Sequence, residues 1–256
     1  LSTDYQYLYK NLNFFGEFAR SQNGGTAQLH GVLIGLDKTL SASFMYRDYD
    51  RSFQNDFAAS FAESETQNEK GMYSGLEFKP NLKWKFRAYI DFYQYPWLRY
   101  YSSTPTFGKD YFIQSDYKIN RNTKLYFRYK TERKEENFNI EDLNTPEIGI
   151  NKKDVFRFNS TFKEGESWNF KNRIEYCKVK NIEGNENGFM IYQDVKYKPL
   201  FSKVSFSTRL TIFNTESYNS RIYAYESDVL YGYSIPSFYG KGRKFYVVLK
   251  FNILKD

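Results

Sequence analysis

The chain has 256 residues and a formal net charge of +7, and it is 21% aromatic, with 25 phenylalanines and 25 tyrosines. That ring content excludes a disordered chain and suits strands. No apolar run approaches the roughly 18 residues of a spanning helix, and the single cysteine, Cys177, excludes a disulfide framework within the chain.

Residues 1–8 are polar and tyrosine-rich, with no clear period. Asn11 to Arg20 reads as a first strand, weakened by Gly16, and Ser21-Gln22-Asn23-Gly24-Gly25 as a turn. Thr26 to Leu36 reads as a second strand whose poor alternation leaves its faces unassigned. After a tight turn at Asp37-Lys38, Leu40, Ala42, Phe44 and Tyr46 share one face of a third strand, opposite Ser41, Ser43 and Arg47. Residues 50–70 read as a long polar loop. Met72, Ser74, Leu76 and Phe78 then mark the outward face of a fourth strand, which ends at Lys79-Pro80-Asn81.

The fifth strand is the clearest. From Lys83 to Tyr93 the even positions are Trp, Phe, Ala, Ile and Phe, and the odd ones Lys, Lys, Arg, Tyr, Asp and Tyr. Successive side chains of a strand point to opposite faces, so one face is greasy and the other charged. Its length matches the 9–11 or so residues a tilted strand needs to cross a bilayer.

Residues 95–109 read as a second long loop. Tyr111, Ile113, Tyr117 and Ile119 mark a sixth strand, turned by Asn120-Arg121-Asn122; Leu125, Phe127 and Tyr129 alternate with Lys124, Arg128 and Lys130 in a seventh. Residues 131–153 read as the longest loop. Phe156, Phe158 and Phe162 mark an eighth strand, and Lys163-Glu164-Gly165-Glu166 turns it into a ninth with Trp168, Phe170, Ile174 and Tyr176 on one face. Residues 180–187 read as a further loop. Phe189, Ile191, Val195 and Tyr197 mark a tenth strand, closing at Lys198-Pro199-Leu200-Phe201, and Val204, Phe206, Leu210 and Ile212 an eleventh. Tyr223, Tyr225, Val229 and Tyr231 mark a twelfth, and Phe245, Val247, Leu249, Phe251 and Ile253 a thirteenth.

High ring content with a strongly negative mean hydropathy fits a wall that shows its apolar face to lipid and its polar face to an interior. The expectation is an all-β protein of the bacterial outer membrane: a transmembrane antiparallel up-and-down β-barrel, with residues 1–256 as a single domain of about 13 strands. Short and long connections alternate, which places residues 50–70, 95–109, 131–153 and 180–187 outside the cell and the turns near Pro80, Asn120, Gly165 and Pro199 in the periplasm. Bacterial single-chain barrels have even strand numbers. The odd count therefore predicts a fragment of a longer chain with 14 strands or more and an export leader elsewhere, unless the second strand is miscounted.

Several stretches resemble a family of large outer-membrane β-barrel proteins of Bacteroidota, often labelled helix-hairpin-helix or ComEA-like after a small N-terminal domain. They are Phe14-Phe15-Gly16-Glu17-Phe18-Ala19 with Asn23-Gly24-Gly25, Phe61-Ala62-Glu63 with Gln67-Asn68-Glu69-Lys70-Gly71, Pro96-Trp97-Leu98-Arg99-Tyr100, Tyr192-Gln193-Asp194-Val195, and Tyr218-Asn219-Ser220-Arg221-Ile222-Tyr223-Ala224-Tyr225-Glu226. The resemblance spans most of the chain and implies an outer-membrane barrel. It brings no catalytic signature, and no helix-hairpin-helix segment is present to imply DNA binding.

Alternation assigns a set of charged residues to the inner face: Lys83, Lys85, Arg87, Lys124, Arg128, Arg157, Lys171, Arg173 and Arg209, joined by Lys196 and Lys244, against Glu77, Asp91, Asp116, Glu175, Asp194, Glu226 and Asp228. This set reads either as a cationic lumen that admits anions or, more commonly for such sets, as an arginine–carboxylate lattice that stiffens the wall. The long loops are acidic, with Asp50, Asp56, Glu63, Glu65 and Glu69 in the first and Glu132, Glu135, Glu136, Glu141, Asp142 and Glu147 in the third. Solvated loop charge is the commoner reading there, ahead of divalent cations bridging to lipopolysaccharide. Rings and bases lie on opposite faces, against nucleic-acid stacking. His30 is the only histidine, which leaves little for a catalytic or metal site, so neither enzyme activity nor a cofactor is expected. Expected partners are outer-membrane lipid, lipopolysaccharide and other outer-membrane proteins or lipoproteins. Two functions remain: a membrane-embedded subunit of an envelope assembly (secretion, protein insertion or envelope maintenance), slightly favoured by the odd strand count, or a porin-like channel with a cationic lumen for small anionic solutes.

Overall fold

The computed structural model describes residues 1–55, 60–100, 102–138, 146–200, 202–229, 232 and 234–251. Thirteen of its strands form one antiparallel sheet in the order β1-β2-β3-β4-β5-β6-β7-β8-β9-β10-β11-β12-β15. These are β1 (Ser2–Tyr9), β2 (Leu12–Arg20), β3 (Thr26–Gly35), β4 (Leu40–Tyr49), β5 (Glu69–Phe78), β6 (Trp84–Tyr95), β7 (Thr106–Lys118), β8 (Thr123–Phe138), β9 (Glu147–Glu164), β10 (Trp168–Asn181), β11 (Gly184–Tyr197), β12 (Val204–Thr215) and β15 (Lys241–Phe251). The short strands β13 (Ile222–Tyr223) and β14 (Ser237–Phe238) pair with each other in a separate sheet.

Thirteen sheet strands match the expected number only because two differences offset. Residues 2–9 form a strand the sequence reading did not assign, paired with β2 from Ser2↔Ala19 to Tyr9↔Leu12. Tyr5, Tyr7 and Tyr9 do recur with period two, but both faces of β1 are exposed, so no polar/apolar contrast marked it. Conversely, the expected twelfth strand through Tyr223, Tyr225 and Val229 is not a sheet strand; only Ile222–Tyr223 is extended, as β13. Two loops also shrink. Most of 131–153 belongs to β8 and β9, and 180–187 to β10 and β11, which meet in a hairpin turn at residues 182–183. The polar alternation of these strand ends read as loop because it lacks apolar residues. Tyr231, Ile253, Phe201, Asp56, Glu141 and Asp142 lie outside the described residues.

The chain forms two compact units: residues 1–81, 85–113 and 130–152, and residues 82–84, 114–129 and 153–256. In the first, the register sets Tyr46 opposite Met72 and Met72 opposite Phe92, a row of exposed side chains on one face. The opposite face buries Arg47, Glu69 and Asp91. The described parts of the long connection after β4, residues 50–55 and 60–68, fold onto this polar face, where Phe53 and Ala62 cover Ala27, Leu29 and Tyr49. That cover explains the weak alternation of β3. Its Ala27, Leu29, Gly31 and Leu33 lie on the same face as Arg47, while Gln28 and His30 fall on the other, beside Tyr46.

Glycines of this sheet sit beneath aromatic rings. Phe15 lies directly opposite Gly31, and a Cβ at Gly31 would come within 2.4 Å of its ring. Tyr93 covers Gly108 still more closely, at 2.1 Å. A ring laid over a strand glycine replaces the packing that the missing side chain cannot supply. Gly108→Ala is therefore expected to lose about 1–3 kcal/mol through overpacking, read by urea unfolding of the detergent-folded protein; an unchanged midpoint would show that Tyr93 moves aside freely.

In the second unit, β9 to β12 and β15 again expose rings and aliphatic side chains on one face, among them Phe156, Phe158, Ile174, Phe189, Leu210 and Val247. The other face carries Cys177, Val179, Met190 and Tyr192, and these pack against Ile222, Ala224 and Phe238. Through Ile222, Ala224 and Phe238 the connection after β12 thus folds back over this face of its own unit. Deleting most of one buried side chain there, as in Met190→Ala, is expected to cost about 2–5 kcal/mol, measured by the same unfolding assay.

Candidate functional site

The candidate site is the polar face of the sheet, where the sequence reading placed its charged set. In the first unit Arg47 leaves β4 across Gly71 of β5, where a Cβ would meet its Cζ at 2.5 Å. Only glycine leaves the guanidinium room. It donates from Nε to Glu69 at 2.5 Å and from Nη1 to Asp91 at 2.9 Å. Arg47 and Glu69 are 1% and 0% exposed, so these charges are desolvated and depend on one another. Beside them Lys130 bonds Asp110 at 2.7 Å and Glu132 at 3.4 Å, and Lys134 bonds Glu132 at 2.5 Å and Glu63 at 3.5 Å. Glu63 comes from the covering connection, and its backbone N–H donates to both carboxylate oxygens of Glu69. Burial pushes the Glu63 carboxyl above its ordinary range, opposed by the nearby lysines. In this cluster the carboxylates Glu63, Glu69, Asp91, Asp110 and Glu132 outnumber the cations Arg47, Lys130 and Lys134.

Farther along the same face Glu77 accepts from Lys79 and Lys85, both at 2.5 Å, and stands opposite Arg87 across the β5–β6 ladder. Rings continue beside it: Tyr73 packs at 5.2 Å from Tyr89, and Tyr89 stacks at 4.8 Å on Phe112. A cavity of about 730 Å³ opens here, with Ser41, Ser43, Glu77, Arg87, Tyr89 and Phe112 among its lining.

In the second unit Arg157 reaches Glu175 at 2.5 Å, and Arg173 bonds the same carboxylate. Arg209 forms a two-point pair with Asp194 and lies 3.9 Å from the centre of the Tyr192 ring. The two buried arginines also hold the covering connection. Arg173 Nη2 donates to the carbonyl of Tyr223 at 3.0 Å, and Arg209 Nη1 to that of Tyr225 at 2.6 Å. Lys244 bonds Glu226 at 2.7 Å. Arg128 donates to Gln114 at 2.7 Å, and Gln114 in turn to Asp116 at 2.8 Å.

Of the charged set, then, Lys85, Arg87, Arg128, Arg157, Lys171, Arg173 and Arg209 lie on the polar face with Glu77, Asp91, Glu175 and Asp194. Lys83 falls in the exposed connection before β6, and Lys124 is exposed at the start of β8. Glu226 is buried on the covering connection rather than on a sheet strand. Asp228 is exposed on the same connection. Sequence reasoning omitted Arg47, Glu69, Asp110 and Lys130 from the set; Arg47 and Lys130 stood on the polar sides of their strands by alternation, but Glu69 fell in, and Asp110 beside, a stretch read as a loop. His30 lies apart from this face, its ring 5.9 Å from that of Tyr5 and its Nδ1 3.1 Å from the Tyr5 hydroxyl. Cys177 is fully buried in the apolar cluster. Among the described residues no group of three or more His, Cys, Asp and Glu side chains is placed to hold a metal ion.

No protein-family model and no curated protein matches the chain. Among solved structures it is similar to OmpT, an outer membrane protein of Vibrio cholerae, with a TM-score of 0.54 at 11% identity over 98% of this chain and 88% of that one. It is also similar to the outer membrane channel DcaP of Acinetobacter baumannii, with a TM-score of 0.52 at 9% identity over 97% of this chain and 83% of that one. The likeness is one of fold, between this antiparallel sheet and those of outer-membrane proteins. An antiparallel sheet of that fold, with exposed rings and aliphatic chains along one face and buried ion pairs along the other, belongs in the outer membrane, where lipid covers the first face.

Proposed function

We propose that the chain is the wall of an outer-membrane channel and that its polar face borders an aqueous path for small polar solutes. The observation that carries this reading is the cavity of about 730 Å³ on the polar face of the first unit, lined by hydroxyls, rings and the Glu77/Arg87 pair of opposite charges. A wall that served only as an anchor would need no such space. Ion pairing along both units argues against a strongly cationic path: most described bases on the polar face engage a carboxylate, and in the cluster around Arg47 acids are in excess. The path is therefore weakly selective by charge, with local fields set by unpaired ends of the lattice.

Planar-bilayer conductance of the purified protein tests this. The expected result is steady, salt-dependent current, and Arg87→Glu is expected to move the reversal potential toward cation preference. Silence, together with stable co-purification of other outer-membrane proteins, would favour the assembly role instead.

A further inference from the structure

The apolar face of the first unit carries a second hollow, of about 880 Å³, at the end of the sheet where the long connections lie. Its floor is Tyr46, Met72, Phe92, Phe107 and Ile150, all exposed, with Met72 at 64%. Its rim is basic: Lys70, Lys109 and Arg133. The register explains why these groups converge. Lys70 and Met72 are alternate residues of β5, and Met72 stands opposite both Tyr46 and Phe92. Lys109 and Phe107 alternate on β7, and Arg133 and Glu135 on β8. The strand ends here continue past their ring-bearing stretch, so apolar floor and cationic rim share one face at the boundary of the hydrocarbon.

We infer that this groove binds one phosphorylated, acylated lipid of the outer leaflet, with acyl chains on the ring and aliphatic floor and headgroup phosphate between Lys70, Lys109 and Arg133. Three features of the rim support an anionic occupant. Among the described residues Lys70 pairs with Asp48 alone, at 3.0 Å, and its half-exposed ammonium leaves a phosphate able to replace that carboxylate. Among the described residues neither Lys109 nor Arg133 has a carboxylate within ion-pair distance. The one acid in the rim, Glu135, is already committed, accepting from the backbone N–H of Phe107 at 2.9 Å. The size of the hollow is in the range that holds one small ligand or part of a larger one. Long connections face outward in this fold, which puts the groove in the leaflet rich in phosphorylated glycolipid. The inference rests on the membrane placement and is independent of the solute path.

The test uses the full chain folded in neutral detergent and probed with a hexa-acylated, bisphosphorylated lipid A, with the same lipid stripped of phosphate as control. Native mass spectrometry reads bound lipid. The wild type is expected to retain the phosphorylated lipid in preference to the stripped one. The triple variant Lys70→Gln, Lys109→Gln, Arg133→Gln is expected to bind about a hundredfold more weakly, at about fivefold per charge near a membrane surface. Equal retention of both lipids by the wild type would overturn the inference, and so would undiminished binding by a triple variant that folds. The wild-type comparison decides the matter even if the variant does not fold. Conductance measured on the same preparations separates the two readings, because lost lipid preference with intact current removes this site alone.

Discussion

Arg47→Ala is expected to lower the unfolding free energy by about 3–5 kcal/mol, the usual cost of breaking a buried ion pair from one side. The guanidinium is the direct partner of both Glu69 and Asp91, and its removal strands two carboxylates that are 0% and 3% exposed. Water cannot reach them without opening residues 60–68, whose Phe61 ring lies 5.2 Å from the Arg47 guanidinium and whose Glu63 N–H binds Glu69. Replacing all three charges at once, with Arg47→Met, Glu69→Gln and Asp91→Asn, should cost clearly less, because no lone charge remains. Equilibrium unfolding in urea, followed by tryptophan fluorescence, measures both. A single variant as stable as the triple would mean that the cluster is hydrated and the burial argument fails. Gly71→Ala should reproduce much of the single-variant loss by a different route, since the added methyl occupies the path of the guanidinium.

Arg209→Ala is expected to have the second large effect, again about 3–5 kcal/mol, with a local signature that Arg47→Ala lacks. Arg209 joins three things at once: the buried Asp194, the Tyr192 ring and the carbonyl of Tyr225 on the covering connection. Losing it removes one of the two guanidinium clamps on residues 222–226, the other being Arg173 on the Tyr223 carbonyl. The apolar contacts of Ile222, Ala224 and Phe238 remain, so the connection should open locally well before the sheet unfolds. Limited trypsin digestion of the folded protein reads this as faster cutting after Arg221 while the strands stay protected. Under the channel reading the same variant should also show a larger or noisier current, since the connection lies on the polar face. Cutting no faster than in the wild type would show that the contacts left in place, the Arg173 clamp, the Lys244–Glu226 pair and the apolar cluster, hold the segment without Arg209.

The two variants probe the same design in different units: a long connection lies on the polar face and is fixed there by buried arginines and a small apolar cluster. Nothing in the sequence pattern announced this. Phe53, Ala62, Ile222, Ala224 and Phe238 look like loop residues or strand residues according to their neighbours in sequence, and their partners are distant in the chain. The most instructive error is the expected twelfth strand. Its alternating Tyr223, Tyr225 and Val229 fit a lipid-facing row, yet Tyr223 and Tyr225 owe their place to carbonyls that accept from Arg173 and Arg209. Alternation records that successive side chains meet different surroundings; it does not say whether those surroundings are lipid and water or another part of the chain.

Local sequence determined the strands from β2 to β12 and β15, the faces shown from β4 onward, and the presence of charge opposite the rings, because period two follows directly from strand geometry and needs only neighbouring residues. The outer-membrane fold followed from the same pattern, since exposed rings on one face and ions on the other are stable together only between lipid and a polar interior. Tertiary structure alone decided which charges pair, that Gly71 makes room for Arg47, that Phe53, Ala62, Ile222, Ala224 and Phe238 of the long connections cover the polar face, and that the basic rim of Lys70, Lys109 and Arg133 gathers over Met72 and Phe92. Each of these depends on register between strands and on contacts between residues far apart in the chain, and a desolvated ion pair or a shared groove exists only once that register has been set.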